Sequence, residues 1–281
     1  MTMTRGFASN PSDNVRIAYE VDDGTAEATS RHRETVLFVH GSGLSKASWR
    51  GLGYVRALRD EYRVATIDLR GHGQSDRPHT VDSYSRERFL GDLEAVIDAV
   101  SPGHPVHLIG YSVGARLALE LAAASPERLL SAVMLGGSSA PMRGQVGKLF
   151  FPDYLEALRV GGMSAFIEGW QEHAGRPLDA STRGVFERND PLALAAYFER
   201  SDDEPGLSDD ELRRIHTPAL WIVGEHDHPR LEHSVHAATV MGARCEVLQG
   251  RNHGSTLGPA EPVIELIRPF LHEHAEVGQR S

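Results

Sequence analysis

Gly110-Tyr111-Ser112-Val113-Gly114 decides how this chain is read. An apolar run, Val106-His107-Leu108-Ile109, comes before it. Ala115-Arg116-Leu117-Ala118-Leu119-Glu120-Leu121-Ala122-Ala123-Ala124, rich in helix formers, comes after it. The pattern is strand, sharp turn with a serine at its apex, then helix, which is the context a G-x-S-x-G nucleophile elbow requires. In so tight a turn, side chains two positions either side of the serine would clash, hence Gly110 and Gly114. The pentapeptide alone is a weak signal, because Gly and Ser are common, and its bland reading is a glycine-rich strand-to-helix turn. The flanking strand and helix make it specific.

A serine hydroxyl needs a base, and the base needs an orienting carboxylate. Pro218-Ala219-Leu220-Trp221-Ile222-Val223-Gly224 reads as a buried strand that runs into Glu225-His226-Asp227-His228. Cys245-Glu246-Val247-Leu248 reads as the next strand, ending in Gln249-Gly250-Arg251-Asn252-His253-Gly254. A carboxylate and a histidine therefore follow successive strands in the order Ser, acid, His. Asp227 and His253 are the candidates, with Glu225 as the competing carboxylate. Singly, Asp227 reads as a cap or turn former and His253 as a solvated loop residue. Their combination with Ser112 carries the assignment.

Acyl transfer also needs two N–H groups aimed at a developing oxyanion. Val36-Leu37-Phe38-Val39 is an apolar strand followed by His40-Gly41-Ser42-Gly43. The backbone N–H groups of Ser42 and of Val113, the residue after the nucleophile, are the expected donors.

The segments VLFVHGSG, DLRGHGQS (Asp68 to Ser75), HLIGYSVGA, ALWIVGEHD and GRNHG span residues 36 to 254. With them the chain resembles the α/β-hydrolase superfamily. The resemblance implies an α/β fold, with a mainly parallel central sheet flanked by helices and a helical cap insertion. It places the acid three residues past Gly224, at Asp227, and makes Arg70 and His72 structural. Members that open epoxides or displace halide carry an aspartate at the elbow, so Ser112 points away from those reactions. The implied activity is cleavage of an ester, thioester or related acyl compound through an acyl-enzyme. The alternatives are a carbon–carbon bond hydrolase, a lyase or cyclase of a biosynthetic pathway, and a small-molecule sensor that signals through a partner protein.

Strand and helix alternation itself implies a mainly parallel sheet. Val15 to Tyr19, Val36 to Val39, Val64 to Ile67, Val106 to Ile109 and Ala132 to Leu135 read as strands. Ser48 to Asp60, Arg86 to Val100, Leu231 to Met241 and Glu261 to His274 read as helices. The rhythm breaks from Ser138 to Gly206, where helical stretches are interrupted by Gly161-Gly162, Gly175 and Pro191. This segment, 138–206, is expected to be a helical cap inserted after the sixth strand, with 1–137 and 207–281 forming the core. It carries Phe150, Phe151, Tyr154, Phe166, Trp170, Phe186, Tyr197 and Phe198. Any one of these is explained by cap packing, but as a group they point to an apolar pocket roof. Phe151, Tyr154, Phe166 and Trp170 are the candidate substrate contacts, for a hydrophobic acyl or aromatic small molecule.

The 281 residues suit one α/β domain with an insertion. A formal net charge of −10 argues against nucleic-acid binding. No apolar run reaches the roughly 18 residues of a membrane span, and Met1 to Phe7 lacks the apolar region of a secretory signal. A cytoplasmic location is therefore expected. Cys245, the single cysteine, reads as an inert strand residue. Fifteen histidines raise the question of a metal, and His226, His228, His233 and His236 cluster near the acid. No metal-ligand spacing accompanies them, so neither metal nor cofactor is expected. The polar tail after Ala275 reads as frayed.

Overall fold

Residues that read as unbroken apolar runs become strands buried on both faces. In the computed structural model, which describes residues 3–24 and 33–275, every residue of β3 (Thr35–Val39) and β5 (Val106–Tyr111) is buried. Such runs are the signature of a parallel sheet covered on both sides. Alternate residues then face opposite layers. Val36 and Phe38 enter one core with Trp49, Tyr54 and Ile267, while Leu37 and Val39 enter the other with Phe89, Leu93 and Leu117.

The remaining strands are β1 (Met3–Ser9), β2 (Arg16–Asp22), β4 (Arg63–Ile67), β6 (Leu129–Leu135), β7 (Ala219–Gly224) and β8 (Arg244–Leu248). Among the described residues, all eight form one sheet in the order β1-β2-β4-β3-β5-β6-β7-β8. Pairings are parallel from β4 through β8, while β1 and β2 join antiparallel at one edge.

The helices that follow strands are α1 (Ala47–Gly51), α2 (Tyr54–Leu58), α3 (Arg86–Val100) and α4 (Val113–Ala124). Between β6 and β7 come α5 (Gln145–Leu149), α6 (Tyr154–Glu156), a π-helical turn at Ala157–Gly161, α7 (Gly162–Ala174), α8 (Ala180–Phe186), α9 (Pro191–Ser201) and α10 (Asp209–Arg213). No strand is assigned among the described residues of this interval. Pro191 starts α9 rather than breaking it. It occupies the first helical turn behind Asp190, whose side chain accepts from the Leu192 and Ala193 N–H groups. The chain closes with α11 (Arg230–Met241), α12 (His253–Leu257) and α13 (Glu261–Glu273).

Two expectations are corrected. Ser48 to Asp60 is two short helices, α1 and α2, because Gly53 takes a left-handed φ of 94° between them. Strand β1 has no counterpart in the sequence reading. It is a mostly exposed edge strand, so Met3-Thr4-Arg5-Gly6-Phe7-Ala8-Ser9 carries no alternating apolar signal. The reading of the tail after Ala275 falls outside the described residues.

The turn at Ser112 is where the sheet leaves least room. A Cβ on Gly110 would lie 2.0 Å from the Gly114 carbonyl oxygen, and one on Gly114 would lie 2.2 Å from the Val39 carbonyl oxygen. Gly114→Ala should therefore displace α4 from β3. The expected cost is about 2 kcal/mol or more, seen as a fall in Tm of roughly 4 °C or more. A variant that melts within about 1 °C of the parent would show that strand β3 yields to the added methyl.

Candidate active site

Ser112, Asp227 and His253 all lie beyond the carboxyl ends of parallel strands, where open α/β sheets place their ligand sites. Ser112 caps the N-terminus of α4 with φ 55° and ψ −112°, a conformation that surrounding contacts must hold in place. Its N–H donates to the Leu135 carbonyl at 2.9 Å, and its carbonyl accepts from the Arg116 N–H at 3.1 Å. The Ser112 Oγ is 3.0 Å from His253 Nε2, and His253 Nδ1 is 2.7 Å from Asp227 Oδ2.

Asp227 is 2% exposed. Its Oδ1 also accepts from Arg230 Nη1 at 3.4 Å. Glu225 plays a different part: its Oε2 accepts from the Gly250 N–H at 2.8 Å and so ties the β7 loop to the β8 loop. His253 is not in a plain loop. It opens α12, which is capped reciprocally by Asn252 and Ser255. Tyr111, inside the pentapeptide, holds the same histidine. Its ring stacks on the imidazole at 5.1 Å, and its hydroxyl donates to the His253 carbonyl at 2.9 Å. The pentapeptide gave no hint of this, because only the fold brings Tyr111 and His253 together.

Burial pushes the His253 pKa below the ordinary imidazole value, and the hydrogen bond that its ring donates to Asp227 opposes that shift. The ring is therefore neutral at pH 7, with a free Nε2 lone pair facing Ser112.

The loop after β3 presents Ser42. The Gly43 N–H donates to His72 Nε2 at 3.1 Å, and the Leu44 N–H donates to the Gly41 carbonyl at 3.1 Å. Among the described residues, neither the Ser42 N–H nor the Val113 N–H is committed to a turn or loop hydrogen bond. Both residues line one cavity with Ser112. The Ser42 hydroxyl lies 2.8 Å from the Tyr197 hydroxyl.

His40 and His72 support this loop as neutral acceptors. The Leu69 N–H donates to His40 Nε2 at 3.0 Å. Burial lowers both pKa values, that of His72 to about 3. Arg70 is fully buried and donates to Asp92 at 2.6 Å and Asp13 at 2.9 Å. Both residues of the DLRGHGQS segment thus hold loops in place and do not reach the cavity lining.

The cavity above Ser112 has a volume of about 80 Å³. Phe89, Leu117, Met142, Val146, Phe150 and Phe198 give it an apolar wall, and Arg86, Arg116, Glu120, Glu204 and Arg230 also reach it. The lining is thus part apolar and part charged.

The four aromatic candidates are corrected: Phe151, Tyr154, Phe166 and Trp170 are absent from the described lining. They pack behind it. Phe166 and Trp170 lie 5.0 and 4.9 Å from Phe150, Phe151 lies 5.6 Å from Phe166, and Tyr154 lies 5.8 Å from Phe198. The neighbours Phe150 and Phe198, together with Tyr197, take the cavity-facing positions.

The histidines near the acid disperse to separate partners: His228 to Glu232, His233 to Ser138 and His236 to Asp209. Side chains of His226 and His228 are 63% and 58% exposed, so neither shields Asp227.

Residues 34–184 match the family model described as alpha/beta hydrolase fold. The chain belongs to that enzyme family. It is 30% identical over 233 residues to a candidate 2-succinyl-6-hydroxy-2,4-cyclohexadiene-1-carboxylate synthase of Bacillus subtilis (strain 168), covering 77% of this chain and 80% of that one. It is 27% identical to the pimeloyl-[acyl-carrier protein] methyl ester esterase of Aeromonas hydrophila, covering 84% and 94% of the two chains. The enol-lactonase from Burkholderia xenovorans LB400 shares the fold with a TM-score of 0.78 at 22% identity, covering 95% of this chain and all (100%) of that one. Among the described residues, no helix is long and apolar enough to cross a membrane.

Two outcomes follow from this geometry. The rate of Ser112 labelling by a fluorophosphonate should rise with pH through a midpoint below the ordinary histidine value of about 6.5; a midpoint above that value would contradict a His253 that is neutral at pH 7. Phe198→Ala should change the relative rates on acyl chains of different length more than Phe151→Ala does. Phe151→Ala should act mainly on stability, by about 3 kcal/mol, and equal effects of the two on chain-length preference would reverse the assignment of the cavity wall.

Proposed function

We propose that this chain is a serine hydrolase that cleaves an ester, thioester or related acyl compound through an acyl-enzyme. The observation that carries the reading is the hydrogen-bonded line from Ser112 Oγ through His253 to Asp227, at 3.0 and 2.7 Å. Ser112 attacks the acyl carbonyl while His253 Nε2 takes its proton. Asp227 keeps the remaining proton on Nδ1 and stabilises the imidazolium. The Ser42 and Val113 N–H groups hold the oxyanion, and Val113 adds the positive end of α4. His253 then gives the proton to the leaving alcohol or thiol. A water, deprotonated by the same histidine, releases the acid and restores Ser112. Residues 138–206 act as the cap that supplies the cavity's aromatic wall, and a small-molecule substrate enters beneath it.

A second reading has a specific observation behind it. The 30% identity to the synthase favours a lyase-type reaction, in which the same histidine and serine would move a proton without acylation. Trapping decides between the two. Under the hydrolase reading, mass mapping after brief exposure to an activated ester finds an acyl group on Ser112.

Ser112→Ala should abolish fluorophosphonate labelling. Asp227→Asn should lower turnover by about 10⁴-fold, the loss expected when an orienting carboxylate no longer fixes the tautomer. Glu225→Gln should cost far less, because it loses only the tie to Gly250. An inactive, well-folded Glu225→Gln variant beside a nearly normal Asp227→Asn variant would overturn the assignment of the acid.

A further inference from the structure

Helix α4 does more than carry the serine. Val113, Arg116, Leu117 and Glu120 all line the cavity, the spacing of one helical face. At 1.5 Å per residue this face reaches about 12 Å from Ser112, so the cavity follows the helix for about two turns.

The far part of that face is charged and buried. Arg116 is 7% exposed and Glu120 is 3% exposed. Arg116 Nη2 donates to the Ala140 carbonyl, but its Nη1 has no hydrogen-bond acceptor among the described residues. The Glu120 Oε1 stands 3.8 Å from Nη1, and Arg86 Nε stands 3.9 Å from Glu120 Oε2. These are ion pairs beyond hydrogen-bond length. A buried guanidinium with an unfilled N–H is costly, and Nη1 belongs to a residue that lines the cavity.

We propose that Arg116 and Glu120 form a subsite for a carboxylate at the far end of the substrate's acyl part, so that the preferred substrates are half-esters or related acyl derivatives of short dicarboxylic acids. The proposal rests on Ser112 being the nucleophile and adds the identity of the acyl group. Arg116 lies about one turn from Ser112, about 6 Å along the helix, which a chain of a few carbons spans. A carboxylate matches the planar guanidinium fork. A doubly charged phosphate would meet Glu120 and Glu204 in the same cavity.

Glu120 supplies the second hydrogen bond in its protonated form. Burial raises its pKa to about 7, against the opposing charges of Arg116 and Arg86, while Glu204 and Glu87 push the same way as burial. Below pH 7 the protonated carboxyl donates to the incoming carboxylate. Above pH 7 the Glu120 charge repels it.

The test compares kcat/KM for monomethyl glutarate and for dimethyl glutarate, which differ only in the far carboxylate. The parent chain should prefer the monoester by about tenfold or more at pH 6, and the preference should shrink as the pH rises to 8. Arg116→Gln should bring the ratio close to one, and Arg116→Lys should keep part of it. Glu120→Gln should remove the pH dependence of the ratio. A parent that cleaves the dimethyl ester as well as or better than the monoester overturns the subsite and leaves the serine hydrolase reading standing. If neither ester is cleaved, calorimetric titration with glutarate against glutaramide still decides: tighter binding of glutarate that weakens from pH 6 to pH 8 supports the subsite, and equal affinities overturn it. The parent ratio and the parent titration need no variant to fold.

Discussion

Everything at this site depends on a backbone that cannot relax. Ser112 is held at φ 55° because β5, α4 and β3 meet with no room for a methyl group: the Gly114 carbonyl closes on Gly110, and the Val39 carbonyl closes on Gly114. The cost of that conformation is met by burial of β3 and β5 and by the Ser112 N–H bond to Leu135. The serine hydroxyl is thereby lifted above the strand ends, towards the histidine. Val113, at the start of the same helix, lines the same cavity, and its N–H is not committed to a turn or loop hydrogen bond among the described residues. One local constraint thus positions the proposed nucleophile and one proposed oxyanion donor together.

The rest of the site is held by imidazoles that must stay neutral and by charges that must stay paired. His40 and His72 each accept a backbone N–H at Nε2, which a protonated ring could not do. Burial keeps them in that form. The price of enclosure is met differently for the permanent charges: Arg70 is shared between Asp92 and Asp13, and Lys46 bonds to Asp68 and Gln74. Together these networks fix the β3 loop relative to the DLRGHGQS segment. The Tyr197 hydroxyl reaches the same loop from α9, at Ser42, so the helices between β6 and β7 bear on the proposed oxyanion donor as well as on the cavity wall.

The cavity combines two kinds of surface. Phe150 and Phe198 are positioned by an aromatic stack in which Phe166 is fully buried between Phe186 and Phe198. That stack gives the wall its rigidity. Helix α4 brings Arg116 and Glu120 into the same cavity, beside Leu117 of its apolar lining. A ligand that filled this space would meet both apolar and ionic side chains, a combination that selects for orientation as much as for affinity.

The sequence by itself determined the fold class, seven of the eight strands, and the chain order of serine, carboxylate and histidine at strand ends. Those readings follow from local physics: apolar runs bury, glycines permit the elbow, and loops after parallel strands gather at one edge of the sheet. The exposed edge strand β1 escaped because burial, the source of the signal, is missing there. Tertiary structure alone decided which carboxylate meets His253 and which aromatic rings reach the cavity. Glu225 and Asp227 are two residues apart, and only the path of the β8 loop sends one to Gly250 and the other to the imidazole. Phe150 and Phe151 are adjacent and equally apolar, yet only Phe150 lines the cavity, because direction around a helix end is set by what packs behind it. Arg116 read as an ordinary helix residue for the same reason. Its burial and its unfilled N–H arise from Glu120, Ala140 and the cavity, and no local pattern encodes their meeting.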